Sequence, residues 1–477
     1  MILKFAVKAS VRFGCVLALL GVLPACAQQR EVSRLFAEHC AGCHGANLEG
    51  GQTESMLDDQ WKHGGDDASL ARIIRDGFEQ EGMPAFKGLF SEAEIRAMVV
   101  FIHEKRTQAR TRGANYPKPT LNEVVKTREH SFRLTTVAER LDTPWALAFL
   151  PDGRMLVTEL PGGLRYIDKG QVSEPVSGTP RVRAQGQGGM MEVALHPGYS
   201  SNGWVYLAYS DPGSTAGNRD AGMTAVVRGR IREGKWVEEQ TIFRAPPWSY
   251  RGGGIHFGCR IVFDESGHIF FPIGERGQMW DAQDLTRPNG KVHRLFDDGR
   301  IPPDNPFVGQ SNALASIWSY GHRNPQGLDR HPVTGELWDT EHGPRGGDEL
   351  NLVIKARNYG WPIITHGMNY NGTPMTEFTA KPGLEQPVLH WTPSIAVCGI
   401  DFYDGTKFPR WRNNLLVTGL ASEELRRVVI EGHQVSGQEI LFKGIGRVRD
   451  VASGPDGFIY VVLNKPDKIV RLEPAER

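Results

Sequence analysis

Two cysteines and a histidine near the amino terminus form the pattern with the clearest chemistry in this chain. Cys40, Cys43 and His44 have the spacing C-x-x-C-H, at which two thiols attach a haem covalently and the histidine binds its iron. A redox dithiol or half of a zinc site is the alternative interpretation of the two cysteines. The adjoining histidine favours the haem, and a haem indicates electron transfer.

A haem iron held between two protein ligands needs a second axial ligand, and Met83 is the best-placed thioether. It lies between Gly82 and Pro84, on a segment with no helical or strand pattern. The sequence therefore predicts His44 and Met83 as the two iron ligands.

Helical patterns flank these residues on both sides. Val32, Leu35 and Phe36 predict a short helix that leads into the cysteines. Ser91 and Glu94 predict a capping box at the start of a later helix, whose apolar residues recur at helical spacing at Ile95, Met98, Val99 and Ile102. The order of helix, C-x-x-C-H, methionine loop and helix resembles a small class I cytochrome c domain, which we assign to residues 28–110.

The first residues predict export. Lys4, Lys8 and Arg12 precede an apolar run, Cys15 to Leu23, that is too short to cross a bilayer. We therefore assign residues 1–27 to a signal peptide and expect a periplasmic protein. Cleavage after Ala27 and cleavage before Cys26 both stay open, and the second would place a lipid anchor on Cys26, the one membrane attachment that we expect.

Length and composition limit the remaining possibilities. The 477 residues with 40% hydrophobic content are enough for more than one domain with its own core. With 55 basic and 55 acidic residues the formal net charge is zero, which argues against nucleic acid as a partner. Residues 111–130 lack apolar periodicity and are predicted to be a linker. Cys259 and Cys398 could pair or stay apart, and their spacing does not decide between the two.

From residue 131 to residue 477 the chain repeats one pattern. An apolar strand, a turn and a second apolar strand recur six times, with turns at Pro151-Asp152-Gly153, His196-Pro197-Gly198, Asp264 with Gly267, His331-Pro332 with Gly335, Asp404-Gly405, and Pro455-Asp456-Gly457. Successive turns lie about 45 to 80 residues apart, the length of one four-stranded blade with its insertions. The sequence thus predicts an all-β six-bladed propeller behind an all-α cytochrome c domain.

Polar residues and glycines crowd the loops beside these strands. They occur in Gly254–Arg260, Gly274–Gly277, Asn289–Val292, Gly321–Gly327, Glu341–Pro344, Asn358–Pro362, Trp391–Ala396 and Arg447–Asp450. In this order the segments resemble the soluble quinoprotein aldose sugar dehydrogenases, the glucose/sorbosone dehydrogenase family. The resemblance spans about residues 135–473, and GHRNPQGL from Gly321 is its most specific segment.

The resemblance implies that pyrroloquinoline quinone (PQQ) is the cofactor and that an aldose is oxidised at C1 to the lactone. This chemistry needs a base that titrates near neutral pH, and we expect His256 to be that base. Arg323 would hold the cofactor or the developing charge. The cofactor's carboxylates predict arginine and polar ligands, and the family's motifs supply Gln187, Asn324, Ser394, Arg447 and Arg449.

The resemblance also implies a calcium ion that binds the quinone. Gly343 and Pro344 occupy the family's calcium motif, and their backbone carbonyls suit a hard cation. Two positions depart from the family pattern. Segment 419–422 has no counterpart of the lysine that glucose-preferring members carry, and Val397-Cys398 replaces a Pro-Ser pair.

Structural roles are the alternative for several of these residues. A histidine such as His256 often only stabilises its surroundings, His322 and His342 could brace loops, and Arg447 and Arg449 flank Val448 as on the solvated face of a strand. We predict an enzyme that passes electrons from PQQ to one covalent haem c and then to a downstream cytochrome or respiratory chain. Alternatives are oxidation of another alcohol or aldehyde, such as a sorbosone-like substrate, a calcium-dependent lactone hydrolase, and a propeller that only binds a partner.

Overall fold

The computed structural model describes residues 30–58, 60–112, 116–215 and 218–476. The predicted signal peptide, its cleavage sites and Cys26 lie outside these residues. Within them, a small helical domain precedes six β-sheets, which confirms the predicted fold class. Nowhere in these ranges is a helix both long enough and apolar enough to cross a membrane.

The amino-terminal domain packs short helices around one longer helix. The helices are α1 (Val32–His39), α2 (Ala41–His44), α3 (Asp67–Asp76) and α4 (Glu92–Thr111). The predicted capping box opens α4, because Ser91 Oγ accepts a hydrogen bond from the Glu94 amide and the Glu94 carboxylate accepts one from the Ser91 amide at 2.9 Å. Phe36 of α1 packs on Phe101 of α4 with ring centroids 5.2 Å apart. These contacts pack α1, which leads directly into the C-x-x-C-H pattern, against α4.

Six antiparallel sheets follow, which we call blades 1 to 6. Blade 1 consists of β3 (Pro144–Phe149), β4 (Met155–Glu159), β5 (Gly163–Asp168) and β6 (Gln171–Val172). Blade 2 consists of β7 (Met190–Leu195), β8 (Val205–Thr215), β9 (Asn218–Arg232) and β10 (Lys235–Arg244), with the short helix α5 (Tyr199–Asn202) between β7 and β8. Blade 3 consists of β11 (Val262–Phe263), β12 (His268–Ile273), β13 (Lys291–Phe296) and β14 (Ile317–Tyr320).

The second half of the ring has the same plan. Blade 4 consists of β15 (Pro325–Arg330), β16 (Leu337–Glu341), β17 (Asp348–Leu352) and β18 (Leu389–Trp391). Blade 5 consists of β19 (Val397–Phe402), β20 (Leu415–Gly419), β21 (Glu424–Glu431) and β22 (Gln434–Lys443). Blade 6 contains β23 (Arg447–Ser453), β24 (Ile459–Asn464) and β25 (Lys468–Ala475). Each predicted turn joins the first two strands of one blade, so the sixfold repeat is confirmed.

The two ends of the propeller sequence meet in blade 6. Strand β2 (Ser131–Glu139) pairs antiparallel with β25, in a register that runs from Ser131 opposite Ala475 to Glu139 opposite Lys468. The two-residue strand β1 (Val125–Lys126), which forms inside the segment predicted as a linker, extends this sheet. Pairing of the first strand with the last closes the ring, so every blade covers the apolar face of a neighbour.

One buried arginine connects the blades at the centre of the ring. The Arg260 guanidinium lies 3.0 Å from Glu192 of β7 and 2.8 Å from Asp450 of β23. Its Nε donates to the Gln326 carbonyl at 2.8 Å, and its Cζ lies 4.3 Å from the centroid of the Trp145 ring. Arg260 precedes blade 3 and contacts blades 1, 2, 4 and 6, so a single cation holds the inner strands together around the channel.

Candidate functional site

The C-x-x-C-H pattern borders a cavity in the helical domain. The cavity has a volume of about 510 Å³ and is mostly apolar. Both Cys40 and Cys43 are free thiols. The residues that line the cavity include Phe36, Cys40, His44, Met56, Trp61, Leu70, Ile74, Met83, Met98 and Ile102. A free cysteine, a histidine and a methionine on the wall of an apolar cavity suit a covalent haem.

One nitrogen of His44 is engaged by a hydrogen bond, and the other is left for the predicted iron. Thr53 Oγ1 lies 3.1 Å from His44 Nδ1, which leaves Nε2 available for the metal. Burial lowers the pKa of the imidazole, and the neutral form is the one that ligates. Three methionines line the cavity, at Met56, Met83 and Met98. The choice of Met83 as the sixth ligand therefore stays a prediction.

His256 has a buried carboxylate partner on the neighbouring loop. Its side chain is nearly buried, and Nδ1 makes a short hydrogen bond with Glu275. Burial lowers the pKa of His256 below its ordinary value, while the hydrogen bond that Glu275 accepts from it opposes that shift. The His256 amide donates to Gln187 Oε1 at 2.7 Å. A neutral imidazole oriented by a carboxylate is the arrangement that a general base requires.

Arg323 and Asn324 lie on the loop that enters blade 4 and are anchored to it. Glu341 accepts hydrogen bonds from both backbone amides, at 2.6 and 3.3 Å. Arg323 Nη1 donates to the His342 carbonyl at 3.0 Å, and Asn324 Oδ1 accepts from the Gly258 amide at 3.0 Å. Among the described residues, Arg323 Nε and Asn324 Nδ2 are buried with no partner. Buried donors without acceptors suit a polar cofactor that supplies oxygen atoms.

Arg447 and Arg449 add positive charge from blade 6. Within the described ranges Arg447 has no carboxylate partner, and burial together with the charge of Arg449 lowers its pKa. Arg449 Nη1 lies 3.5 Å from Gln326 Oε1 and 3.5 Å from Cys398 Sγ. Two neighbouring arginines without carboxylates suit a carboxylate ligand. Cys398 and Cys259 are both buried free thiols, so the two body cysteines do not form a disulfide.

The loop between β16 and β17 carries Gly343 and Pro344. The Gly343 amide donates to Asp348 Oδ1 at 3.0 Å, and a Cβ on Gly343 would lie 2.2 Å from the Gly347 carbonyl oxygen. In the described part of the chain, the carbonyl oxygens of Gly343 and Pro344 accept no hydrogen bond. Free carbonyls in a compact loop fit a calcium ion. The Ser394 hydroxyl donates to Asp348 at 2.7 Å, and its role as a PQQ ligand stays a prediction.

Two site residues escaped the sequence interpretation. Glu275 belongs to a segment already noted for its polar residues, but its role depends on its contact with His256. His342 is half-buried, its buried Nε2 has no partner among the described residues, and desolvation lowers its pKa to about 3. His322 instead braces its loop, since its Nδ1 lies 3.1 Å from Glu341 and its ring stacks on Tyr359.

Two family models match this chain, one on each domain. The Glucose / Sorbosone dehydrogenase model matches residues 141–471, and the model for subunit III of cbb3-type cytochrome c oxidase matches residues 27–102. Aldose sugar dehydrogenase YliI of Escherichia coli K12 is 43% identical over 344 residues, which are 70% of this chain and 91% of that protein.

Solved structures show the same likeness. The apo-form of the soluble aldose sugar dehydrogenase from Escherichia coli is 40% identical with a TM-score of 0.68. The match covers 72% of this chain and 100% of that chain. The PQQ-bound aldose sugar dehydrogenase from Streptomyces coelicolor is 28% identical with a TM-score of 0.59. The match covers 72% of this chain and 98% of that chain. The chain is therefore an oxidoreductase of the glucose/sorbosone dehydrogenase family that carries a cytochrome c domain at its amino-terminal end.

Proposed function

We propose that the propeller oxidises an aldose at C1 to the lactone and that the electrons pass to a haem c in the amino-terminal domain of the same chain. The observation that carries this proposal is the buried His256–Glu275 pair beside a loop whose donors, Arg323 Nε and Asn324 Nδ2, lack partners among the described residues. A base next to unpaired donors suits an alcohol oxidation in which the base takes the hydroxyl proton and the hydrogen on carbon leaves as hydride to a bound acceptor.

His256 takes the proton of the C1 hydroxyl. Glu275 holds the imidazole by Nδ1, so Nε2 is the nitrogen that accepts the proton. Arg323, fixed at its amide and at Nη1, stabilises negative charge that develops on the oxygen. Because burial keeps His256 neutral below its ordinary pKa, the base remains competent in mildly acidic solution.

PQQ supplies a two-electron acceptor when it is bound. Arg447, Arg449 and Asn324 would hold its carboxylates and carbonyls, because Asn324 Nδ2 lacks a partner among the described residues and the two arginines are neighbouring cations. Gln187 Oε1 accepts the hydrogen bond of the His256 amide, and its Nε2 would donate to the cofactor. Calcium would bind the carbonyls of Gly343 and Pro344, and Ser394 would act indirectly by holding Asp348.

The haem domain extends this chemistry to one-electron transfer. Cys40 and Cys43 would attach the haem, and His44 and Met83 would bind its iron inside the apolar cavity. Covalent haem attachment fits export to the periplasm, as the amino-terminal sequence predicts. The partner that finally receives the electrons would be a cytochrome or another respiratory-chain acceptor.

An absorbance experiment tests the proposal. Protein with covalent haem, loaded with PQQ and calcium under argon, should develop ferrous haem bands after addition of an aldose. Omission of PQQ or chelation of calcium should prevent the change. A panel of aldoses, other alcohols and aldehydes shows whether C1 of an aldose is the preferred position. If no member of the panel reduces the haem, the proposed transfer of electrons from the propeller to the haem fails.

The concentration dependence separates transfer within one chain from transfer between chains. The observed first-order rate constant of haem reduction should not change with protein concentration, because a covalent tether makes the step intramolecular. A rate constant that rises in proportion to protein concentration would show that the haem receives electrons from another molecule.

A further inference from the structure

Helix α4 has two faces with different surroundings. Met98 and Ile102 line the haem cavity. Arg96, Val100 and Glu104 recur every four residues and therefore lie on one side of the helix, and all three contact the propeller. Helix α4 thus lies between the haem cavity and blade 4.

The contact surface on the propeller consists of residues 345–347 and 366–372, two loops of blade 4 that we call the blade-4 platform. Arg345 forms a bidentate ion pair with Glu104, with nitrogen to oxygen distances of 2.8 to 3.1 Å. The Glu104 side chain is only 9% exposed. A two-pronged ion pair is geometrically specific, and although the Arg345 side chain is half-buried, the pair favours one orientation of the helical domain.

Apolar and backbone contacts complete the surface. Met368 of the platform is fully buried and belongs to the same hydrophobic cluster as Val100 and Phe101 of α4. A Cβ on Gly346 would lie 3.2 Å from Val100 Cγ1, so the glycine permits close approach of the helix. The Val32 amide at the start of α1 donates to the Gly372 carbonyl at 2.9 Å. The interface therefore has a packed core as well as a salt bridge.

The platform also adjoins the candidate sugar site. Arg345 directly follows Gly343 and Pro344, and its backbone exchanges two hydrogen bonds of 3.0 Å with Met368. Two residues beyond Met368, the Tyr370 hydroxyl lies 3.5 Å from Arg323 Nη2. The loops that hold the haem domain are thus the loops that border the site.

We propose that the blade-4 platform locks the haem domain in its electron-accepting position, with Arg345 and Met368 as positioning residues. The inference rests on the proposed function. The reduced quinone releases two electrons and two protons, and the protons go to water. The haem would accept one electron at a time and pass each to an external one-electron oxidant before it takes the second. Helix α4, about 10 Å across, lies between the haem cavity and the platform, and electron transfer slows as donor and acceptor move apart, so loss of this contact should slow the transfer.

Charge reversal tests the lock. Glu104→Arg places a second cation against Arg345, and like charges in an interface disfavour docking. We expect sugar-dependent haem reduction to slow at least about tenfold, while sugar oxidation with a small dye acceptor is unchanged. The double variant Glu104→Arg with Arg345→Glu restores an opposite pair and should recover most of the rate. Arg75→Glu is the matched control, because the partner of Arg75 is Glu92 in the same helical domain.

Hydrogen–deuterium exchange reports docking without any catalytic step. Haem-loaded protein without PQQ should show faster exchange at the Val32 amide and in residues 366–372 for Glu104→Arg, and wild-type exchange for the double variant and for Arg75→Glu. Met368→Ser should produce the same loss through the apolar core of the interface.

Each outcome decides the inference. It is overturned if Glu104→Arg accelerates exchange but the haem is reduced at the wild-type rate, because docking is then not needed for transfer. It is also overturned if neither exchange nor rate changes, because the ion pair then holds nothing. If the wild-type haem is never reduced by sugar while exchange shows a protected interface, the proposed function fails, and the electron-transfer role of the platform fails with it.

Discussion

The two candidate sites of this protein are built in different ways. The haem site takes Cys40, Cys43 and His44 from one turn of helix, and the cavity is completed by helices packed within the same small domain. The sugar site takes residues from Gln187 to Arg449 and from loops of several blades. The first depends on local geometry, whereas the second exists only when β2 pairs with β25 and the ring closes. Local variants should therefore affect one site and leave the other intact.

Removal of both thiols should give the largest effect. Cys40→Ser with Cys43→Ser leaves no atom to form a thioether, so covalent haem should be lost completely. Sugar oxidation with a dye acceptor should continue, because the propeller has its own core. The haem stain of a denaturing gel and dye-coupled activity measure the two results. Loss of both functions would contradict the separation of the sites.

Removal of the base should affect only the propeller. His256→Ala should lower dye-coupled turnover by about two to four orders of magnitude, with the haem spectrum unchanged. Activity should fall with decreasing pH as His256 becomes protonated, below its ordinary pKa because burial lowers it. Glu275→Gln removes the contact that raises this pKa, so it should move the acid limb to lower pH. Near-normal turnover of His256→Ala would assign the base elsewhere.

Loss of the central cation should destabilise the ring. Arg260→Met leaves Glu192 and Asp450 buried without their partner, which typically costs about 3–5 kcal/mol. Urea unfolding followed by tryptophan fluorescence measures the loss of unfolding free energy. The helical domain, followed by its haem absorbance, should unfold at the same urea concentration as in the wild type. Arg300→Met, which breaks the exposed pair with Asp298, is the control and should cost less than about 1 kcal/mol. Equal effects of the two variants would show that Arg260 does not connect the blades.

The sixth haem ligand can be assigned among the three cavity methionines. Met83→Ala should lower the reduction potential by on the order of 0.1 V, because thioether ligation favours ferrous iron. Met56→Ala, which removes a thioether from the same cavity, should change it much less. Redox titration of the purified haem protein distinguishes them. The opposite ranking would make Met56 the ligand.

The smallest effect concerns the start of α4. Ser91→Ala removes the side chain that accepts the Glu94 amide and should cost the helical domain about 1 kcal/mol. Ser91→Thr keeps the cap and should be close to neutral. Thermal unfolding at the haem band measures both, and the propeller transition should not move. Identical melting of Ser91→Ala and wild type would show that α4 is held by packing alone.

Much of the fold was predictable because its signals are periodic. Six strand–turn–strand repeats predicted six blades, and the spacing from Ser91 to Ile102 predicted α4 and its cap. The resemblance to the sugar dehydrogenases identified the loops that form the candidate site. The roles of the individual residues in those loops remain predictions, and Ser394 shows why, since its hydroxyl is engaged by Asp348.

The sequence by itself determined what depends on neighbours along the chain: the C-x-x-C-H spacing, the helix caps, the turns and the number of blades. Only the tertiary structure decided what depends on distant residues. Glu275 contacts His256 across two loops, and Arg260 joins strands from four other blades. Glu104 of the helical domain pairs with Arg345 of the propeller, 241 residues later in the sequence. Such pairings carry no periodic signal, because ring closure and domain docking, rather than chain spacing, bring their atoms together.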